Sequence, residues 1–312
     1  MAEHPYRTIL IAGPTASGKS SLAVTLAAKH GGAVVNADSM QVYDGLSILT
    51  ARPGPADLAQ APHIFYGHVD PATAYSTGAW LRDVTARWDE LRARYPVLIV
   101  VGGTGLYFKA LTGGLAEIPP VPAAIRTHWR EMLAEVGPAH LHARLAERDS
   151  SMAARLLPND GQRLVRALEV VEATGRSMAD WQADGAAQAL VNLDDPTVRA
   201  LVLEPARKTL HERIAARFGT MIDTGAVEEA RAFMERGLAP DLPSMKAIGL
   251  RELAEIEAFS PDAGNVRQAA TERAIAATRQ YAKRQSTWFR NQFDGRWNRV
   301  ENATDAMLLL DL

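Results

Sequence analysis

Apolar positions along this chain fall into two textures. Short unbroken runs at Tyr6–Ala12, Ala33–Ala37, Pro96–Val101 and Val198–Leu203 read as buried strands. Between them, Ser20–His30 (closed by Gly31-Gly32), Thr77–Arg94 and Lys208–Met221 read as helices. In the second of these, Trp80, Leu81, Val84, Trp88 and Leu91 recur at helical spacing. Unbroken apolar strands alternating with helices predict a parallel sheet covered on both faces. The texture changes at Ile118-Pro119-Pro120-Val121-Pro122, and from there to about Ala189 only helical stretches rich in Arg, Glu, Ala and Leu are visible. The pattern therefore predicts an α/β core at 1–117 and 197–312, an inserted all-helical domain at 118–196, and a closing helix over about Asn265–Gln292.

One turn in this pattern carries chemistry. The first strand runs directly into Gly13-Pro14-Thr15-Ala16-Ser17-Gly18-Lys19-Ser20, whose spacing between a strand and a helix is that of a P-loop. Its backbone N–H groups and the helix N-terminus form an anion cradle, Lys19 adds a point charge, and the Ser20 hydroxyl is placed to hold Mg²⁺. A P-loop NTPase usually adds an Asp at the end of another core strand. Here Pro96–Val101 ends in Gly102-Gly103-Thr104 instead. The expectation is a loop that holds a diphosphate beside a second substrate, not a nucleotide that drives a motor.

Composition adds limits. The 312 residues are 47% hydrophobic and 22% charged, a globular mix, and the net charge of −2 does not advertise a nucleic-acid binder. There is no cysteine, which excludes disulfides, thiolate zinc sites and cysteine nucleophiles and fits a reducing cytosol. His140 and His142, two apart on an expected helix, give no zinc pattern. The first apolar stretch runs straight into the loop and is expected to be neither signal peptide nor membrane span.

Other local features admit two readings each. At the tip of the second strand, Asp38-Ser39-Met40-Gln41-Val42-Tyr43 offers a carboxylate, an amide and a phenol that could read a base edge and take a proton; equally, Asp38 or Ser39 could cap a helix with Tyr43 as core. Gly102-Gly103-Thr104-Gly105 is either a second phosphate turn or a glycine-rich strand-to-helix corner. Residues 267–299 carry eight Lys/Arg against Glu272 and Asp294. Of these, Arg279, Lys283 and Arg290 fall within about 40° on a helical wheel, a stripe for RNA phosphates or a solvated face. In the insertion, Arg163 and Arg166 share a helix face and could contact RNA or pair with Asp160 and Glu169.

Taken in order, GPTASGKS, DSMQVY, GGTGLY, Gln162–Glu169 (QRLVRALE), Arg213–Phe218 (RIAARF) and Lys283–Arg290 (KRQSTWFR) resemble the tRNA dimethylallyltransferase (tRNA isopentenyltransferase) family over roughly residues 7–291. The resemblance implies that the loop grips dimethylallyl diphosphate and that N6 of the adenine 3′-adjacent to the anticodon attacks the allylic carbon. By the same resemblance Lys19, Arg217, the loop amides and Mg²⁺ on Ser20 neutralise the departing diphosphate, Thr104 hydrogen-bonds its bridging oxygen, and Asp38 orients N6 and takes its proton. Contacts to the tRNA anticodon stem-loop are expected from Asp38, Ser39, Met40, Gln41, Thr104, Arg126, Gln162, Arg163, Leu164, Val165, Arg166, Lys246, Arg251, Arg279, Lys283 and Arg290, in a cytoplasmic, monomeric enzyme. Two departures stand out: Leu49-Thr50-Ala51-Arg52-Pro53 where the family commonly has Gly-Thr-Ala-Lys-Pro, and Ile248-Gly249-Leu250 where it commonly has Ile-Gly-Tyr. The first bears on a local turn, the second on an RNA contact. The competing readings are an ATP-dependent small-molecule kinase, an adenylate isopentenyltransferase acting on free AMP or ATP, and an RNA-binding P-loop switch.

Overall fold

The computed structural model describes residues 5–184, 189–256 and 263–310. Six parallel strands form one sheet: β1 (Thr8–Ala12), β2 (Ala33–Asn36), β3 (His63–Ile64), β4 (Leu98–Gly102), β5 (Val198–Leu203) and β6 (Trp297–Val300), in the order β3-β2-β4-β1-β5-β6. β1, the first strand in sequence, lies in the middle between β4 and β5. Its residues are buried on both faces, which explains an apolar run without alternation. Ile9 and Ile11 pack with Leu22, Ala23 and Leu26 of the helix Lys19–His30. The helix Thr77–Arg94 is anchored by Trp80, fully buried, whose indole N–H donates to the Asn36 carbonyl (2.9 Å) and whose ring stacks on Tyr107 at 4.3 Å.

The four long apolar runs all appear as strands. β3 and β6 are additions that the apolar pattern does not announce: one has two residues and the other, Trp-Asn-Arg-Val, has two polar residues at its centre.

The chain divides into two compact units, Met1–Thr112 with Val191–Leu312, and Gly113–Leu190. The division falls a few residues before the boundaries expected at 117/118 and 196/197. The local reason is that the helix Gly105–Gly113 ends there and the returning chain is tied on by Val191 N–H donating to the Leu111 carbonyl (3.0 Å). In the second unit the helices Ala123–Arg148, Ser150–Ala153, Gly161–Thr174 and Met178–Ala183 surround their own core of Trp129, Leu141, Leu145, Leu164, Val165 and Leu168. The first of these breaks at Gly137 (φ 77°), directly before Pro138. No strand occurs in this unit among the described residues; residues 185–188, inside the stretch expected to be helical, lie outside them. No helix of the described residues is long and apolar enough to cross a membrane.

Candidate active site

The C-terminal ends of β1, β2 and β4 lie side by side, so the loops leaving them share one edge of the sheet, where ligands of such sheets collect. A cavity of about 330 Å³ opens there, lined by Thr15, Ala16, Gly18, Lys19, Ser20 and Ser21 of the P-loop and its helix, Asp38 and Gln41 after β2, Thr50 and Ala51, and Arg213 and Arg217.

The loop is shaped from beneath. A Cβ on Gly13 would lie 2.7 Å from the Leu203 carbonyl of β5, so this position admits no side chain. Gly13, Pro14 and Ser17 are buried under the turn and do not line the cavity, although the sequence placed all eight loop residues at the diphosphate. Ser17 N–H folds back on the Pro14 carbonyl (3.2 Å), and Gly18 sits at φ 97° to cap the helix. The amides of Ala16, Gly18, Lys19 and Ser20 carry no protein hydrogen bond among the described residues, which leaves them free for an anion.

Thr15 N–H is committed elsewhere. It donates to Gln285 Oε1 (2.9 Å), while Gln285 Nε2 donates to the Gly103 carbonyl (2.9 Å). A single buried amide on the C-terminal helix Ala263–Gln292 thus clips the P-loop to the turn after β4. No local signal points to this, because a glutamine within the basic Lys283–Arg290 run reads as surface.

Close packing, two times out of three by the same helix, explains the glycines after β4. A Cβ on Gly102 would lie 2.0 Å from the Ala37 carbonyl, one on Gly103 2.2 Å from Gln285, and one on Gly105 2.1 Å from the Trp288 ring. They are small so that neighbouring protein can approach, and the phosphate-turn reading of Gly102-Gly103-Thr104-Gly105 is corrected accordingly. Thr104 does not line the cavity. Its Oγ1 accepts from Ser39 N–H (2.9 Å) and donates to Ser39 Oγ (3.2 Å), joining the tips of β2 and β4.

Asp38 stands at the centre. No helix starts near it: Oδ1 accepts from Met40 N–H two residues on (2.9 Å), a local turn, so the helix-cap reading fails. Asn36, fully buried, fixes this tip. Its Oδ1 accepts from Asp38 N–H (2.9 Å), and its Nδ2 donates to the carbonyls of Asp38 (3.1 Å) and Phe65 (3.0 Å). Asn36→Ala would leave these groups unpaired at a buried site, each costing about 1–3 kcal/mol. We expect a drop in thermal midpoint together with slowed catalysis, and an unchanged midpoint would show that Asn36 does not hold the tip. Tyr43, grouped with Asp38 as a possible base reader, is core instead, 1% exposed. The Gln41 amide donates to the carbonyls of Thr50 (2.8 Å) and Ala51 (3.0 Å) and so holds the loop opposite.

Charge in the cavity is mixed. Burial lowers the Lys19 pKa to about 8, with the Asp38 charge opposing and Arg217 reinforcing the shift. Arg217 is lowered by burial, against the pull of Asp38; it donates to Thr15 Oγ1, and its Nε is buried without a partner. Arg213, one helical turn before Arg217 on the helix Arg207–Asp223, donates to the Ser17 carbonyl (3.1 Å). The i,i+4 spacing of the two arginines is the signal that could have found it. Burial, and after it the negative charge of Asp38, pushes up the phenol pKa values of Tyr66, Tyr107 and Tyr281. These phenols stay protonated and take no proton.

The family departures turn out to be packing. Leu49 and Leu250, 8% and 0% exposed, belong to one hydrophobic cluster with Phe218 and Phe233. Leu250 is therefore core, not an RNA contact. The turn that begins at Leu49 is held by Glu229, whose carboxylate accepts from the N–H groups of Ser47, Ile48 and Leu49 at 2.7–2.8 Å.

The expected RNA contacts divide. In the second unit Arg126 and Gln162 are exposed, whereas Leu164 and Val165 are buried in its core and are withdrawn as contacts. Arg163 pairs with Asp160 (3.5 Å) and Arg166 with Glu169 (3.4 Å), the ion-pair reading. His142 bonds to the carbonyls of Ala153 and Leu156, and no cluster of metal-ligating residues occurs among the described residues. In the first unit Lys246, Arg251 and Lys283 are exposed, and Arg279 lies between helices. Arg290 is paired with Glu204 at 3.2 Å, so it leaves the stripe of free cations.

Comparison with known proteins follows the same lines. The IPP transferase family matches residues 41–292 and the isopentenyl transferase family residues 6–69. The chain is 54% identical over 292 residues to a tRNA dimethylallyltransferase of Rhizobium leguminosarum (94% of this chain, 96% of the relative) and 50% identical over 296 residues to one of Agrobacterium fabrum (95% and 97%). Among solved structures it resembles a eukaryotic dimethylallyltransferase acting on tRNA (TM-score 0.74, 27% identity, 91% of this chain and 70% of that one). It also resembles the tRNA isopentenylpyrophosphate transferase of Bacillus halodurans (TM-score 0.63, 29% identity, 98% and 94%). The chain belongs to the tRNA dimethylallyltransferase family.

Proposed function

We propose that the protein transfers a dimethylallyl group from dimethylallyl diphosphate to N6 of the adenosine 3′-adjacent to the anticodon in tRNA. The observation that carries this reading is the single cavity that sets the Asp38 carboxylate opposite a P-loop flanked by Lys19, Arg213 and Arg217. The free loop amides, Lys19 and the two arginines bind the diphosphate and stabilise the charge that grows on it as the allylic C–O bond breaks. N6 forms the new C–N bond. Its proton passes to Asp38, the one carboxylate among the described residues that line the cavity. The adenine must leave its stack to reach this cavity, with Ser39 and Gln41 beside it on the Asp38 turn. Thr104 keeps that turn in place through Ser39.

Mg²⁺ fits this site in a limited way. No acidic cluster forms a resident cage among the described residues, but Ser20 lines the cavity and its hydroxyl would be the protein ligand of the ion. Bound there, the ion would supply charge neutralisation. The absence of cysteine supports a cytosolic setting.

The test is to incubate the protein with unmodified tRNA and dimethylallyl diphosphate and analyse nucleosides by mass. A five-carbon addition to adenosine, dependent on dimethylallyl diphosphate and not supported by ATP, is the expected outcome. RNA-stimulated ATP hydrolysis with no prenylated nucleoside would refute the reading and favour a nucleotide-driven protein.

A further inference from the structure

The helix Arg207–Asp223 has two cationic faces. Arg213 and Arg217 look onto the diphosphate cavity. Arg207 and His211, a turn apart, look with Lys208, Glu212 and Ala215 into a separate groove of about 530 Å³, whose far wall is Arg279 of the helix Ala263–Gln292.

Three observations mark this groove as an anion site. Among the described residues Glu212 is the only carboxylate lining it, against three permanent cations, and none of the side chains of Arg207, Lys208 and Arg279 forms an ion pair or hydrogen bond. Arg279 Nε is enclosed by protein and has no partner, although a buried donor is normally satisfied. The groove also borders the start of a 17-residue helix whose cap, Ala206, offers no side-chain acceptor, so the positive end of the helix is uncompensated. The effect on His211 is consistent: after desolvation, Arg279 and Arg207 are what lower its pKa. Lys283, exposed one turn beyond Arg279, continues the line of charge out of the groove.

We propose that this groove binds the phosphodiester backbone of the tRNA, outside the reactive cavity. The proposal rests on the tRNA reading above. The groove is open, carries three cationic side chains and has no Phe, Tyr or Trp ring among its lining residues, which suits a phosphate backbone and offers no stacking platform to a base.

The test uses the full-length protein. Arg207→Gln/Lys208→Gln changes two exposed residues and leaves the fold intact. Its affinity for unmodified tRNA, measured against salt, should show a log–log slope shallower by about 0.9 per lost phosphate contact, hence by about 1.8. Adding Arg279→Gln should flatten it further. In the Arg207→Gln/Lys208→Gln variant the turnover rate at saturating tRNA and the KM for dimethylallyl diphosphate should stay at wild-type values. A wild-type salt slope in the active double variant overturns the proposal, as does a raised KM for dimethylallyl diphosphate, which would assign the groove to the small diphosphate. Absence of prenylation by the unaltered protein would instead refute the tRNA reading, so the two failures are distinguishable.

Discussion

Asp38→Asn is expected to lower the single-turnover rate of prenyl transfer by about 10²–10⁴ while leaving tRNA affinity nearly intact. The N6 lone pair is delocalised into the adenine ring, so attack becomes productive only as the N6 proton departs. Asp38 is the carboxylate of the cavity, and the phenols around it are held protonated. The asparagine keeps the local turn, because an amide oxygen can accept from Met40 N–H as Oδ1 does. It can also accept from N6–H, so binding survives. What it lacks is basicity, and a loss of that size is about 3–5.5 kcal/mol of barrier. Since no helix begins at residue 38, a capping role offers no rival explanation. A near-normal rate would strip Asp38 of its proton-accepting role.

The second large effect concerns Lys19. In the free protein its pKa lies at about 8, depressed from 10.5 chiefly by burial. Below pH 8 the ammonium is present and attracts the diphosphate. Above it the group is neutral, and binding must first take up a proton. Dimethylallyl diphosphate affinity should therefore be flat below about pH 8 and then fall tenfold per pH unit, until the higher pKa of the complex is reached. Lys19→Met should remove this dependence and cost about 10²–10³ in turnover, the usual loss for one donor at a developing anion. Titration of diphosphate binding by calorimetry in two buffers reads the proton uptake directly. A flat profile in the unaltered protein would mean that Lys19 stays charged throughout and that burial does not govern it.

Much of this was legible in the sequence because the relevant signals are local. Unbroken apolar runs mark strands buried on both faces, and the loop between Ala12 and Ser20 carries its own geometry. What escaped depends on neighbours distant in the chain. Gln285 is one polar residue in a basic run until Thr15 and Gly103 are seen on either side of it. The glycines after β4 announce close approach but not by what, and the visitor proves to be a helix and not a phosphate. Leu164 and Val165 sit inside a motif tied to RNA, yet helical periodicity turns them inward while Gln162 and Arg163 face out. β3 and β6 are too short for any period to register.

The hydrogen bond from Thr15 to Gln285 spans 270 residues, and that distance has a consequence in time. A ribosome adding about 5–20 residues per second needs roughly 15–50 s between making the phosphate loop and making the amide that fixes it. β1 waits 190 residues, from Thr8 to Val198, for its partner β5, roughly 10–40 s at the same rate, so through most of synthesis one side of the central strand is an unpaired edge. The diphosphate site is thus among the last features of the molecule to be finished, and a chain truncated before the closing helix would carry every P-loop residue without a working pocket.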